Sequence, residues 1–257
     1  MPASDLTLLI DAALAGGAIA MAYWRRDPET QTKPDGSPVS DADIAVDTAL
    51  HDALTAARPG YAWLSEERAD DPARLGRQHC FILDPIDGTR AYLDGKETWA
   101  LSLAVVEAGR PTAGVIHMPA KGLTYTAALG QGARLNGRDL AVSDHSGASG
   151  ARMITSKGTY AARHWREGAP PAFERHYRPS MAYRLALVAE GRYDVMATLR
   201  ASWEWDIAAG ALIASEAGAR VTDRLGAPLS FNSPGRQSAG TIVANPALHE
   251  AVLDRLA

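Results

Sequence analysis

Short apolar segments alternate along this chain with longer segments of helical spacing, and this alternation restricts the folds available to it. Buried strands are predicted at Cys80 to Leu83, at Leu101 to Val106 and at Ala113 to Met118. Helices are predicted at Asp41 to Ala57 and at Trp205 to Gly218. Because strands and helices that alternate in this way bury their apolar faces in stacked layers, we expect a layered α+β or α/β architecture.

The length and composition of the chain limit its partners. A chain of 257 residues with 46% hydrophobic residues is long enough to bury a large core. The 26 basic and 30 acidic residues give a formal net charge of −4, which argues against a nucleic-acid polymer or an anionic membrane as the main partner. It leaves a small phosphorylated metabolite open. Cys80 is the single cysteine, so an internal disulfide is excluded and we expect a cytoplasmic protein.

The first apolar segment, Leu6 to Tyr23, is predicted to be an amphipathic surface helix. Asp11 interrupts it and no basic residues lead it, whereas a signal peptide begins with positive charge and a membrane span needs about 20 residues with few charges. Arg25 carries a charge that suits the C-terminus of a helix. The stretch that follows, as far as Asp43, contains prolines and glycines and is predicted to be an extended loop.

A Ser- and Gly-rich stretch from Val142 to Gly150 is the predicted subdomain boundary. It divides the chain into an N-terminal α+β subdomain, residues 1–145, and a C-terminal α/β subdomain, residues 146–257. The first carries most of the candidate metal ligands and the second carries Asp206. No repeat or low-complexity tract separates them, so we expect one compact unit.

Carboxylate side chains follow the ends of apolar segments at three places. Glu66 and Glu67 come directly after a predicted strand, Asp84 and Asp87 come after a later one, and Asp206 lies at the start of a helix. Loops at such ends commonly carry function. Several ionised carboxylates do not share one crevice without a cation, and Mg²⁺ takes oxygen ligands. The pattern predicts a magnesium site.

The segment from Asp84 to Thr89 is the most informative of the three. Its two aspartates are predicted to point the same way in a tight turn, with the Ile86 carbonyl oxygen between them as a further ligand. Gly88 allows close approach of a ligand, and the N–H groups of Gly88 and Thr89 are predicted to bind an anion. Because an Asp-Gly turn alone is commonly a solvated turn, the prediction depends on the three acidic places together.

Four motifs resemble those of the inositol monophosphatase family of metal-dependent, lithium-sensitive phosphatases. They are Ser37-Pro-Val-Ser-Asp-Ala-Asp43, Leu64-Ser-Glu-Glu67, Asp84-Pro-Ile-Asp-Gly-Thr89, and Trp205-Asp-Ile-Ala-Ala-Gly210 with Glu216-Ala-Gly218. The resemblance covers nearly the whole chain. It implies the family's αβαβα layered sandwich, Mg²⁺ as cofactor, a phosphate monoester hydrolase activity and a homodimer.

The resemblance also implies the metal ligands. Glu66, Asp84 and the Ile86 carbonyl are expected to bind one Mg²⁺. Asp84, Asp87 and Asp206 are expected to bind a second. A third, weaker ion is expected near Glu66, so that two or three ions are bound in all.

The remaining matched residues are expected to act on the substrate and on water. Gly88 and Thr89 are expected to hold the phosphate through their backbone N–H groups, beside Asp87 and Asp206. The Thr89 hydroxyl and Asp43 are expected to orient the attacking water, which the metal ions activate.

The resemblance is weaker for the phosphate ester that is hydrolysed. The stretch from Lys33 to Val39 resembles the bacterial branch of 3′(2′),5′-bisphosphate nucleotidases, which hydrolyse 3′-phosphoadenosine 5′-phosphate, a by-product of sulfate assimilation. Arg184 and Arg200 are predicted to bind the second phosphate of such a nucleotide, and Trp203 to stack on its base.

Alternative substrates and functions stay open at this point. Ser180-Met-Ala-Tyr-Arg184 departs from the nucleotidase branch, and Leu199 departs from the inositol-specific branch. Inositol-1-phosphate, histidinol phosphate and fructose-1,6-bisphosphate are therefore alternatives. A non-catalytic regulator that binds metal or phosphate is disfavoured because every ligand position is intact. A calcium-stabilised structural protein has no need of the Thr89 and Asp43 pair.

Overall fold

The computed structural model describes residues 4–257, in which α-helices are interspersed with runs of consecutive strands. Six α-helices form, namely α1 (Asp5–Tyr23), α2 (Asp41–Ala57), α3 (Thr89–Leu93), α4 (Met181–Ala189), α5 (Glu204–Glu216) and α6 (Pro246–Leu253). The strands are β1 (Thr30–Thr32), β2 (Pro38–Ser40), β3 (Ala62–Ser65), β4 (His79–Asp87), β5 (Ala100–Glu107), β6 (Arg110–Met118), β7 (Leu123–Ala128), β8 (Ala133–Leu135), β9 (Arg138–Asp139), β10 (Arg152–Ile154), β11 (Glu174–His176), β12 (Val195–Thr198), β13 (Ser202–Trp203), β14 (Arg220–Thr222), β15 (Gln237–Ser238) and β16 (Thr241–Ala244).

Two main sheets organise these elements. The first has seven strands in the order β3-β4-β5-β6-β7-β8-β9, in which β3 and β4 are parallel and the other neighbours antiparallel. The second has five strands in the order β11-β10-β12-β16-β14, in which β10 is parallel to both β11 and β12. β1 pairs with β2, and β13 with β15, in two small antiparallel ribbons.

Three helical layers and two sheets stack alternately: α1 and α2 lie outside the first sheet, α4 and α5 between the sheets, and α6 outside the second sheet. Leu103 and Val105 of β5 lie in a core cluster with α1 and α2, whereas Ala104 and Val106 lie in the cluster that α4 and α5 complete. Both faces of this strand are buried, which explains why its sequence is apolar without interruption. The cluster around α4 and α5 also contains residues of the second sheet, whose other face packs against α6. The expected αβαβα sandwich is confirmed.

Small residues let the central helices approach their neighbours closely. Gly210 of α5 faces Leu185 of α4, and Gly114 of β6 faces the backbone of Ala209. This gives the glycine of the Trp205 to Gly210 motif a structural reason, because it allows α5 to lie deep between the sheets.

Two segments differ from the sequence-based predictions. The predicted loop before Asp43 contains the β1–β2 ribbon. The predicted tight turn at Asp84 is instead a continuation of β4, which pairs with β5 through Asp84 and again through Asp87, with an irregularity between them. Pro85 has no N–H to donate and falls within this interruption of the ladder, where a proline is tolerated. The division at residue 145 stays a prediction.

Helix α1 is long and apolar enough to span a membrane by length and composition alone. In the structure it packs against α2 and β6, and Leu9, Ala13 and Ala20 are fully buried in the first core cluster. Its apolar character is thus accounted for by its place in the outer helical layer.

Replacing Gly210 with alanine tests the close contact between the middle helices. A Cβ atom at this position would lie 2.7 Å from the Leu185 Cβ, which cannot rotate away. We expect Gly210→Ala to lower the free energy of unfolding by about 1–2 kcal/mol, because overpacking outweighs the gain in helix propensity. Urea denaturation measures the change. In the control, Gly60→Ala, the added Cβ meets no atom within 4 Å, and an equal loss in both variants would contradict the account.

Candidate active site

The candidate active site forms where the parallel strands β3 and β4 end. Glu66 follows β3, and its N–H lies 3.4 Å from the carbonyl of Leu83 in β4. Asp84 comes directly after Leu83, and Asp206 lies in the first turn of α5. One carboxylate oxygen from each of Glu66, Asp84 and Asp206 lies within 4.8 Å of the other two. We call these three residues the acidic triad.

Thr89 and Asp43, the two residues that were predicted to orient water, lie beside the irregular end of β4. The Oδ1 atom of Asp84 accepts a hydrogen bond from the Ile86 N–H at 2.9 Å. The Thr89 hydroxyl lies 3.1 Å from the Ile86 carbonyl oxygen and 3.3 Å from Asp43 Oδ1. The other oxygen of Asp43 accepts from the N–H and hydroxyl of Ser40 at 2.8 and 2.6 Å. Thr89 and Asp43 are therefore together, and Asp43 is held from both sides.

Asp87 lies beside the acidic triad rather than within it. Its Oδ2 atom accepts hydrogen bonds from the Ser180 hydroxyl at 2.7 Å and from the Ala182 N–H at 2.6 Å, at the start of α4. It lines the same cavity as Glu66 and Asp206. The structure thus brings every predicted acidic residue to one place and ties Asp87 to the second half of the chain.

Burial and mutual repulsion raise the pKa of the carboxyls in this cluster. Burial is the largest cause for Asp84 and Asp206, and the neighbouring negative charges add to it, so both pKa values lie well above the ordinary value. Burial raises the pKa of Asp87 to about 6, although hydrogen bonds from Ser180 and from backbone N–H groups favour its ionised form. A divalent cation removes this repulsion, and the all-oxygen donor set suits Mg²⁺. The residues present therefore fit a magnesium ion.

Lys33 is a member of the site whose contacts the sequence did not reveal. Its ammonium group lies 2.7 Å from a carboxylate oxygen of Glu66 and 2.7 Å from one of Glu67. Burial raises the pKa of Glu67 to about 7, although Lys33 opposes this change. Lys33 extends from the segment between β1 and β2, and its proximity to the glutamates depends on the fold of that ribbon.

Asp47 is a second residue that only the structure connects with the site. It lies one helical turn after Asp43 on α2 and is buried. Its carboxylate accepts a hydrogen bond from the Ser65 hydroxyl at 2.6 Å and forms an ion pair with Arg68 at 2.6 Å. Ser65 precedes Glu66, so these contacts fix the end of β3 against α2. A pair of acidic residues four apart on a helix was the available signal.

A cavity of about 240 Å³ opens beside these carboxylates and is also lined by Tyr177, Pro179, Arg184 and Arg200. Arg184 is only 5% exposed. Its guanidinium donates to the carbonyl oxygens of Arg178 and Pro179 and lies over the Tyr177 ring at 4.7 Å.

Trp203 does not line this cavity. Its ring stacks on that of Trp205 at 4.7 Å, and the guanidinium of Arg236 lies 5.6 Å from its centre. Trp203 is thus part of the packing around α5, and its stacking on a base stays a prediction.

A layered α/β fold with a cluster of carboxylates at the strand ends is suited to a metal-dependent hydrolase of phosphate esters. The sequence profile described as the Inositol monophosphatase family matches residues 2–256. The chain belongs to this family, whose members are metal-dependent and generally use Mg²⁺, and it is a phosphoric monoester hydrolase.

Curated relatives of similar identity carry three different activities in their names. A histidinol-phosphatase of Mycobacterium tuberculosis is 34% identical over 90% of this chain and 88% of its own. The 3′(2′),5′-bisphosphate nucleotidase CysQ of Escherichia coli is 32% identical, over 86% of this chain and 93% of its own. An inositol-1-monophosphatase of Mesorhizobium japonicum is 33% identical over 96% of this chain and 95% of its own. The CysQ relatives support a place near that branch.

Solved structures agree with the fold. An inositol monophosphatase of Thermotoga maritima has a TM-score of 0.83 at 29% identity and covers 97% of this chain and 95% of its own. The extragenic suppressor protein suhB of Bartonella henselae has a TM-score of 0.81 at 29% identity, with 96% of each chain covered.

The raised pKa values predict how pH affects the stability of the metal-free protein. A carboxyl whose pKa is higher in the folded state stabilises that state at low pH, and this stabilisation is lost as pH rises through the folded pKa. For Asp87 this stabilisation is lost as the pH rises from 3.8, the ordinary pKa of the group, to about 6, its pKa in the folded protein. In excess chelator, Asp87→Asn is expected to remove this part of the pH dependence. Near neutral pH it is expected to raise the free energy of unfolding by about 2–3 kcal/mol.

Urea denaturation at a series of pH values measures this effect. Asparagine keeps an oxygen that can accept the hydrogen bonds from Ser180 and Ala182, so the start of α4 is preserved. The control is Asp254→Asn, at an exposed carboxylate that ends α6. A profile for Asp87→Asn that runs parallel to that of the wild type would contradict the prediction.

Proposed function

We propose that this hydrolase is a Mg²⁺-dependent 3′(2′),5′-bisphosphate nucleotidase that acts on 3′-phosphoadenosine 5′-phosphate. The observation that carries the proposal is one cavity that combines carboxylates for metal with the cationic side chains of Arg184 and Arg200. The carboxylates serve the phosphate that is released. The arginines supply positive charge for a second phosphate, a role that guanidinium groups perform well.

The family resemblance suggests the metal ligands, and the closeness of the carboxylates supports them. Glu66, Asp84 and the Ile86 carbonyl would hold one Mg²⁺, and Asp84, Asp87 and Asp206 would hold a second. A third ion would bind near Glu66. When bound, the ions neutralise the phosphate dianion, lower the pKa of water and stabilise charge on the leaving oxygen.

The residues of the chain itself position the water and the phosphate. The Thr89 hydroxyl, held between the Ile86 carbonyl and Asp43, orients the attacking water. Asp43 is suited to receive the proton that this water loses, because burial raises the pKa of its carboxyl. Gly88 has φ +99°, and a Cβ there would lie 3.3 Å from the Thr98 carbonyl oxygen, so this close turn requires glycine. Its N–H and that of Thr89 hold the phosphate.

The charge of the cavity favours a bisphosphate over the alternative substrates. Histidinol phosphate carries its own amino group, which the charges of Arg184 and Arg200 repel. Inositol-1-phosphate is neutral beyond its single phosphate and gains little from either arginine. Fructose-1,6-bisphosphate has a second phosphate, and it is the alternative that these charges favour.

Two further properties are proposed from the family resemblance. We expect a homodimer, which light scattering coupled to size-exclusion chromatography measures, and a cytoplasmic location. The net charge of −4 and the single buried cysteine support the second.

Removal of metal or of one ligand charge is expected to abolish hydrolysis. Activity should require Mg²⁺ and disappear in excess chelator, and lithium should inhibit. Asp87→Asn should lower kcat by at least about a hundredfold, because one carboxylate charge is lost from the metal site. Urea denaturation of the same variant separates a loss of activity from unfolding. Full turnover by folded Asp87→Asn would contradict the ligand role.

A substrate panel separates the candidate esters. We expect the highest kcat/KM for 3′-phosphoadenosine 5′-phosphate among that nucleotide, fructose-1,6-bisphosphate, inositol-1-phosphate and histidinol phosphate. Arg200→Ala should raise KM for the nucleotide by about tenfold to a hundredfold, as expected for a lost charged hydrogen bond. Its effect on inositol-1-phosphate should be much smaller. Released phosphate is the measurement, and preference for a monophosphate would overturn the nucleotidase proposal.

A further inference from the structure

A second cavity lies beside the active-site cavity and shares Arg200 with it. It has a volume of about 200 Å³, and its lining includes Ser156, Thr159, Arg163, His164 and Leu199. We call it the Arg163 cavity. No carboxylate side chain of the described residues lines it, whereas four acidic side chains line or adjoin the first cavity. The two neighbouring spaces therefore differ sharply in charge.

The Arg163 cavity is positioned by the parallel strands of the second sheet. β10 lies between β11 and β12 and is parallel to both, so the three strands end at the same edge. The chain after β11 supplies Tyr177 to the first cavity, the chain after β10 supplies residues 156–164 to the second, and the chain after β12 supplies Arg200 to both. Ligands commonly bind at the carboxyl ends of parallel strands.

The cationic groups around the Arg163 cavity are free to bind an anion. Within residues 4–257 the side chains of Arg163 and Arg200 form no hydrogen bond or ion pair. The pKa of His164 lies below its ordinary value, because of burial and then because of the charges of Arg163 and Arg224. Arg224 itself donates to the Leu199 carbonyl at 3.0 Å.

Arg184 differs from these two arginines. Its guanidinium is buried and already donates to two backbone carbonyl oxygens, so much of its hydrogen-bonding capacity is used. The guanidinium N–H groups of Arg163 and Arg200 are available. Both side chains line the Arg163 cavity, and Arg200 also lines the first cavity. A doubly charged phosphate between two guanidinium groups is the arrangement that such donors favour.

We infer that the Arg163 cavity binds the second phosphate of the substrate, between Arg163 and Arg200, while the scissile phosphate lies at the acidic triad. The inference rests on the proposed function and deepens it. Such a subsite selects substrates whose two phosphates are held apart by a spacer, such as a nucleoside. Arg163 is then a specificity-determining residue.

The test compares two nucleotides that differ only in the second phosphate. KM and kcat are measured for 3′-phosphoadenosine 5′-phosphate and for adenosine 3′-monophosphate, with the Mg²⁺-loaded wild type, Arg163→Gln and Arg163→Lys. Arg163→Gln is expected to raise the KM ratio of bisphosphate to monophosphate by about tenfold to a hundredfold, with little change in the kcat ratio. Lysine keeps the charge and should restore part of the preference. Arg138→Gln, at an exposed arginine of β9 far along the first sheet, is the matched control.

The outcomes separate this inference from the proposed function. If the wild type prefers the bisphosphate and Arg163→Gln keeps that preference, the Arg163 cavity is not the subsite, and the nucleotidase proposal stands. If the wild type does not distinguish the two nucleotides, both are overturned. An equal shift in Arg163→Gln and Arg138→Gln also overturns the inference, because it would reflect only the net charge of the protein.

Discussion

The repulsion between buried carboxylates is the constraint on which the rest of this structure depends. Glu66, Asp84 and Asp206 approach within 4.8 Å, and burial and like charge raise the pKa of the last two well above the ordinary value. No such cluster stabilises a fold by itself, because isolated buried charges cost several kcal/mol each. The surrounding layers must therefore hold these side chains in place. A cation bound between the carboxylates removes their repulsion and stabilises the folded state.

Backbone geometry and packing provide that support from several directions. The interruption in the strand pairing at the end of β4 fixes Asp84 and the Ile86 carbonyl. Helix α2 contributes Asp43 and Asp47, which are one helical turn apart and contact two other parts of the site. Asp43 contacts Thr89, whereas Asp47 contacts Ser65 next to Glu66. The first turn of α5, which carries Asp206, is held to β5 by a hydrogen bond from the Ser102 hydroxyl to the Trp205 carbonyl at 3.0 Å. The site is thus assembled from elements that are distant in sequence.

The sequence was sufficient for the layered fold and for the acidic residues of the site, because both leave local signals. Continuous apolar runs predict strands that are covered on both faces, and carboxylates directly after such runs predict a site at the strand ends. Contacts made through space leave no such signal. Lys33 reaches Glu66 only because β1 and β2 form a ribbon, and the buried Arg184 donates to carbonyl groups of Arg178 and Pro179, which precede its helix. The continuation of β4 through Pro85 was missed because a proline normally ends a strand, and here it occupies an interruption in the pairing.

The candidate metal ligands and the other cavity-lining residues belong largely to different sheets. This explains why the type of reaction is easier to predict from the sequence than the identity of the substrate. Most of the motif residues belong to the first sheet and its helices, where the metal geometry allows little variation. Arg163, Tyr177 and Arg200, which line the two cavities, follow β10, β11 and β12 of the second sheet, in connections that supply none of the expected metal ligands. Relatives named for three substrates at 34%, 32% and 33% identity are consistent with this division. We therefore propose that substrate choice in this chain depends on the charges of those connections and on their distance from the acidic triad.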